Sequence, residues 1–192
     1  MTNTPTIYGY PSALGNLSDD MAYVRYAVLA WKDWGYGDIV KGNFSDLVDM
    51  FWWVKDNLRY DASRNNRWPR PEPVWRSVWA DSRLCDCEGF ALSFATFAHR
   101  SLGIDPEDIF VTVMHLPNED RSIFYGSAMM YRIEPMIHAV CVIRTDEGNK
   151  VLDQRAIEVM GDTPDADIVP LFSINLNGKV FWHGTPARKE TT

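Results

Sequence analysis

The stretch from residue 87 to residue 103, "CEGFALSFATFAHRSLG", constrains this chain more than any other. Read at 3.6 residues per turn, Phe90, Phe94 and Phe97 form one stripe, and Ala91, Ala95, Ala98 and Leu102 form a second beside it. A helix apolar over that much of its circumference has to be buried against other elements. Gly103 supplies its C-terminal cap, and Pro106 stands close behind. A central helix over 88–102 is therefore the element around which the rest must pack.

The segments before it also read as helices. Residues 17–35, "LSDDMAYVRYAVLAWKDWG", place Ser18 as N-cap, Asp19 and Asp20 in the first turn, and Gly35 as a stop. Residues 45–59 open again on Ser-Asp. Pro69, Pro71 and Pro73 exclude regular structure from the loop that follows. After Gly103 the period changes: 108–116, 137–145 and 149–155 read as strands, and 172–184 as a hairpin turning at Asn177-Gly178. Helices followed by strands predict an α+β domain, an antiparallel sheet packed on the central helix. At 192 residues the chain suits a single domain spanning 1–192.

Composition narrows the function. With 46% hydrophobic residues, 13% aromatics and eight Trp the chain is globular. A net charge of -7 argues against nucleic-acid and anionic-membrane partners. The start lacks the basic and apolar regions of a signal peptide, and no apolar run approaches the ~20 residues of a membrane span. Three cysteines, an odd number, suit a reducing compartment. The expectation is a cytoplasmic protein.

Cys87 stands at the mouth of the buried helix, in "LCDCEGF". Reaction there needs a thiolate, and a helix N-terminus supplies partial positive charge and unpaired N–H groups. A base and a group to orient it are also required. His138 begins one predicted strand and Asp153 lies in the next. Direct opposition of the two centres the turn between Thr145 and Asp146, whereas turn chemistry favours Glu147-Gly148. The registers differ by an even step, so His138 and Asp153 share a face in both.

Other uses of the same residues compete. Cys85, Cys87, His138 and Cys141 are the ligand types of structural zinc, but His138 and Cys141 are three apart on a strand and point to opposite faces. Cys85 and Cys87 are one residue closer than the usual redox pair. A non-catalytic protein-binding module is the remaining class, one that has no need of all three of Cys87, His138 and Asp153.

Taken together, Asp86-Cys87-Glu88-Gly89-Phe90-Ala91, Leu102-Gly103, His138-Ala139-Val140 and Leu152-Asp153 resemble the core of the transglutaminase-like superfamily, most closely the bacterial transglutaminase-like cysteine proteinases. "FWWVKDNLRYDA" (51–62) and "VWRSVWADSRL" (74–84) resemble that family's approach to its nucleophile helix, so the likeness covers roughly 45–155. It implies a papain-like α+β fold, with Cys87 as nucleophile, His138 as general base and acid, and Asp153 as orienting carboxylate. The implied activity is hydrolysis of an amide or peptide bond through a thioester; the alternative is transglutaminase, deamidase or acyltransferase chemistry on protein side chains. The partner is a protein or peptide substrate, and no cofactor is required.

Calcium is the one metal the resemblance brings in, through Asp86 and Glu88. Gly89 stands where relatives often carry a further acid, and the missing export signal departs from their periplasmic setting. The segment 118–136, rich in Met and aromatics, is either a substrate-binding lid or a hairpin covering the core. Trp79, Tyr125 and Tyr131 are the candidate substrate-binding residues, and Trp75 either lines the site or belongs to the core.

Overall fold

A computed structural model describes residues 17–34, 44–61, 68, 75, 84–123, 132–159, 161 and 169–183. Two helices come first, α1 (Leu17–Asp33) and α2 (Leu47–Asn57). Asp46 caps α2, accepting from the N–H groups of Val48 and Asp49, each at 2.9 Å. Strands β1 (Arg59–Tyr60) and β2 (Leu84–Cys85) then form a short parallel ladder. It ties the end of α2 to the entry of helix α3 (Cys87–Leu102). No local sequence signal announces this two-residue pairing.

Helix α3 is buried from Cys87 through Ala98 without a break. Its N-cap is Asp86, which accepts from Gly89 N–H at 3.3 Å. Gly103 ends it at φ 69°, the left-handed conformation that glycine adopts without a Cβ penalty. Aromatic residues pack along its length. Phe94 stacks on Phe51 of α2 at 5.4 Å, and Phe97 meets Phe44, Trp53 and Trp75 edge-on. Trp75 belongs to this core: it stacks on Trp53 and donates from Nε1 to Ser93 Oγ at 3.1 Å.

A 3-10 turn (Pro106–Asp108) leads into the sheet, formed by β3 (Ile109–Ile123), β4 (Arg132–Thr145), β5 (Gly148–Leu152), β6 (Val169–Asn175) and β7 (Val180–Trp182). The order is β5-β4-β3-β6-β7, all antiparallel. Ile109, Val111, Val113, Ala139, Cys141, Ile143 and Leu152 join α3 in the main core. Met114, Val140 and Val151, on alternate positions, form a second small buried cluster. The α+β architecture read from the sequence is the one found.

Two details differ from the sequence reading. The segment 118–136, read as a lid or a hairpin, is strand at both ends, because β3 runs on to Ile123 and β4 starts at Arg132. The hairpin reading of that segment therefore applies to its arms. The β4–β5 turn is the pair Asp146-Glu147, closed by Thr145↔Gly148 with Gly148 at φ 110°. This register lies between the two weighed from sequence and keeps the shared face.

Candidate active site

Each element delivers one group. Cys87 is the first residue of α3, buried, with its thiol donating to Glu88 Oε2 at 3.1 Å. The Ala139 backbone N–H hydrogen-bonds the same sulfur. The β4–β5 ladder ends at Cys141↔Leu152, so β4 runs past the end of β5 at 138–140. The mouth of α3 meets β4 there, placing the thiol against the residue that follows His138.

His138, the residue before Ala139, meets Asp153. His138 Nε2 lies 3.0 Å from Asp153 Oδ2, and both side chains are buried. His138 Nδ1 is buried too and has no hydrogen-bond partner among the described residues. Burial pushes the Asp153 carboxyl up. The hydrogen bond and charge of His138, then the N–H and guanidinium of Arg155, more than offset this, and the carboxyl sits below its usual range. An ionised Asp153 accepts hydrogen bonds only, so the neutral ring carries its proton on Nε2. The Nδ1 lone pair is then left as the basic atom.

Around the sulfur the electrostatics run the other way. Burial, then the charge of Glu88 and the hydrogen bond to it, then the charge of Asp86, push the Cys87 thiol well above its usual range; the Ala139 N–H opposes them. Glu88 is itself pushed up, by burial first and then by the charge of Asp86 and a hydrogen bond with it. Cys87 thus lies beside two buried acids whose charge, added to burial, favours its protonated form.

The remaining sulfurs are buried as well. Cys85 is buried in β2, and Cys141 is buried in the main core, where desolvation pushes its thiol up. Among the described residues no cluster of three or more His, Cys, Asp or Glu forms a metal cage. Trp79, Tyr125 and Tyr131 lie outside the described residues. What sequence reasoning missed is Arg155, whose backbone N–H donates to Asp153 Oδ1 at 2.9 Å. Its only signal was its place two residues after the predicted orienting carboxylate.

No family model matches the sequence, and no curated protein matches it. Solved structures do match. An EGTA-treated form of LapG from Legionella pneumophila superposes with a TM-score of 0.51 at 14% identity, over 86% of each chain. A calcium-bound form gives 0.50 at 15%, over 88% of this chain and 83% of that one. A further LapG structure gives 0.51 at 15%, over 88% and 90%. The fold is that of the LapG structures. At such identity the LapG likeness speaks for the fold, and the chemistry has to be argued from this chain's own residues. No helix among the described residues is long and apolar enough to cross a membrane.

Proposed function

We propose that the protein is a cysteine-dependent hydrolase of amide or peptide bonds, with Cys87 as nucleophile, His138 as general base and acid, and Asp153 as orienting carboxylate. One observation carries the reading. The Asp153 bond fixes His138 through Nε2 and leaves Nδ1 as a buried lone pair, on the strand whose next N–H touches Cys87 Sγ. The LapG fold supports the same class of chemistry.

The reaction follows from these atoms. His138 Nδ1 takes the thiol proton, and the Asp153 carboxylate stabilises the imidazolium that results. The sulfur attacks the carbonyl carbon of a protein or peptide substrate. The N-terminal end of the α3 dipole, where the sulfur sits, favours the negative charge that develops on the carbonyl oxygen. His138 returns the proton to the departing amine, leaving a thioester on Cys87. Water, deprotonated by His138, then releases the acid and restores the thiol. An amine acceptor in place of water would give transglutaminase chemistry on the same residues.

The acids at the helix mouth bear on the first step, because after burial itself their charge and the Glu88 contact push the thiol up. A cation between them would relieve this, and calcium is the candidate; one LapG structure is calcium-bound. Asp86 and Glu88 fit as part of a site: two buried carboxylates in contact, with one pushed up by the other, form a charge arrangement a cation would favour. They would supply two of the roughly six to eight oxygens calcium takes, the rest coming from backbone carbonyls and water. Bound there, calcium would supply positive charge beside the sulfur.

Incubation with a peptide library followed by intact-mass analysis tests the reading. An acyl adduct on Cys87 that decays in water supports hydrolysis. Absence of any adduct, with Cys87 inert and the protein folded, would sink it.

A further inference from the structure

The Asp153 carboxylate is held by more than His138. Its Oδ1 accepts the Arg155 backbone N–H at 2.9 Å, and its Oδ2 lies 3.5 Å from Arg155 Nε as well as 3.0 Å from His138 Nε2. The main chain closes a tight turn at the same place, since Ala156 N–H donates to the Asp153 carbonyl at 3.0 Å. Lys55 of α2 donates from Nζ to the Ala156 carbonyl and pins that turn to the helix. Among the described residues, His138 on β4 and Arg155 on its own turn act on the Asp153 carboxylate, and Lys55 of α2 holds the turn beside it.

We infer that Arg155 is a positioning residue for the proposed reaction: its N–H and guanidinium clamp the Asp153 carboxylate so that Oδ2 stays directed at His138 Nε2. The inference rests on the Cys87-His138-Asp153 reading and adds a fourth participant to it. Asp153 follows the last residue of β5, and the β4–β5 ladder stops at Leu152. No strand pairing fixes its rotamer, so a second contact is what keeps the carboxylate from turning away. Arg155 is about one-third exposed, which leaves its stem at the surface and its Nε at the buried oxygen. It acts through Asp153.

Two effects of the guanidinium oppose each other. Orientation strengthens the His138–Asp153 bond, whereas a positive charge beside Oδ2 draws density from it and weakens its hold on the imidazolium. The clamp predicts that orientation dominates, because the guanidinium is partly solvated and its charge is screened, while a misdirected carboxylate loses the short bond outright.

The test uses the full chain as wild type, Arg155→Gln and Arg155→Lys, with Asp153→Asn and His138→Ala alongside. Gln keeps the backbone N–H and removes the charged fork; Lys keeps charge on a flexible stem. Two quantities are read: the rate of Cys87 alkylation by iodoacetamide at one neutral pH, and the downfield NMR resonance of the His138 Nε2 proton. Arg155→Gln is expected to slow alkylation roughly threefold to tenfold and to shift or broaden the resonance, and Arg155→Lys to recover most of both. Wild-type rate and resonance in Arg155→Gln would overturn the inference, as would faster alkylation. A lowered melting temperature with the resonance unmoved would also overturn it, by making Arg155 merely structural. If His138→Ala and Asp153→Asn slow alkylation and Arg155→Gln does not, only the clamp fails. If none of the three slows it, the underlying reading fails as well.

Discussion

His138 gives Nε2 to Asp153 Oδ2 at 3.0 Å and keeps Nδ1 buried and unpaired among the described residues. A buried imidazole nitrogen without a partner costs free energy unless another group completes it. In the proposed reaction the thiol at the mouth of α3, hydrogen-bonded to the N–H of the next residue, Ala139, is the group that completes it, and the predictions below test that.

Replacing Asp153 by Asn keeps the volume and alters the proton bookkeeping. An amide directed at Nε2 favours the tautomer with its proton on Nδ1, which removes the base. Asp153→Asn should fold and should slow alkylation of Cys87 on the order of a hundredfold or more. Circular dichroism checks the fold and mass spectrometry the rate. A rate within a few-fold of wild type would show that the carboxylate does not set the tautomer.

The Asp153 carboxyl is depressed in the folded state, so its sign in the pH dependence is fixed. A depressed carboxyl contributes stability above its unfolded pKa of about 3.9, and that contribution is lost as pH falls through the folded value. Asp153→Ala should cost about 3 kcal/mol at pH 7, since it leaves His138 buried without its partner. The gap from wild type should narrow in acid below the unfolded value. Urea melts at neutral and acid pH measure it; a gap that widens in acid would contradict the assignment.

Calcium should speed the reaction of Cys87, because Asp86 and Glu88 hold the thiol proton through charge and contact. Alkylation in calcium should exceed alkylation in EGTA, and the difference should vanish in an Asp86→Asn, Glu88→Gln double variant. Equal wild-type rates in both buffers would remove calcium from the account.

Two glycines separate backbone strain from crowding. Gly103 caps α3 at φ 69° with nothing within 4 Å of an added Cβ. Gly103→Ala should therefore cost only the left-handed penalty, about 1 kcal/mol. Gly178, at φ 78°, would place a Cβ 3.2 Å from both Arg25 Nε and Leu29 Cδ2. It also accepts from that Arg25 at 2.9 Å. Gly178→Ala should cost about 2 kcal/mol, the strain plus displacement of α1. Equal losses in thermal melts would show that the hairpin does not press on α1.

These residues also show where sequence is legible. Helix α3 was readable because a nearly all-apolar face has one solution, burial, and because Gly103 and Asp86 mark its ends by local chemistry. The shared face of His138 and Asp153 followed from a period of two that survives any even slip of register. Their contact did not, because the Asp146-Glu147 turn chose a pairing neither weighed register contained. Arg155 was invisible for a similar reason: its guanidinium reaches Asp153 through a turn pinned by Lys55 of α2. The β1–β2 ladder pairs residues brought together by tertiary packing, which no local pattern encodes. Of the named site residues, Trp79, Tyr125 and Tyr131 fall outside the described residues, and their roles stay as sequence expectations.

The central claim is that His138 activates Cys87, and the three cysteines of one chain supply their own controls. Alkylation by iodoacetamide at neutral pH in calcium buffer, read peptide by peptide, compares Cys87 with the buried Cys85 and Cys141. The account predicts that Cys87 reacts at least about tenfold faster than either, and that His138→Ala brings it down to their rate. Uniform slow labelling of all three in the folded protein, or a Cys87 rate indifferent to His138→Ala, would contradict it.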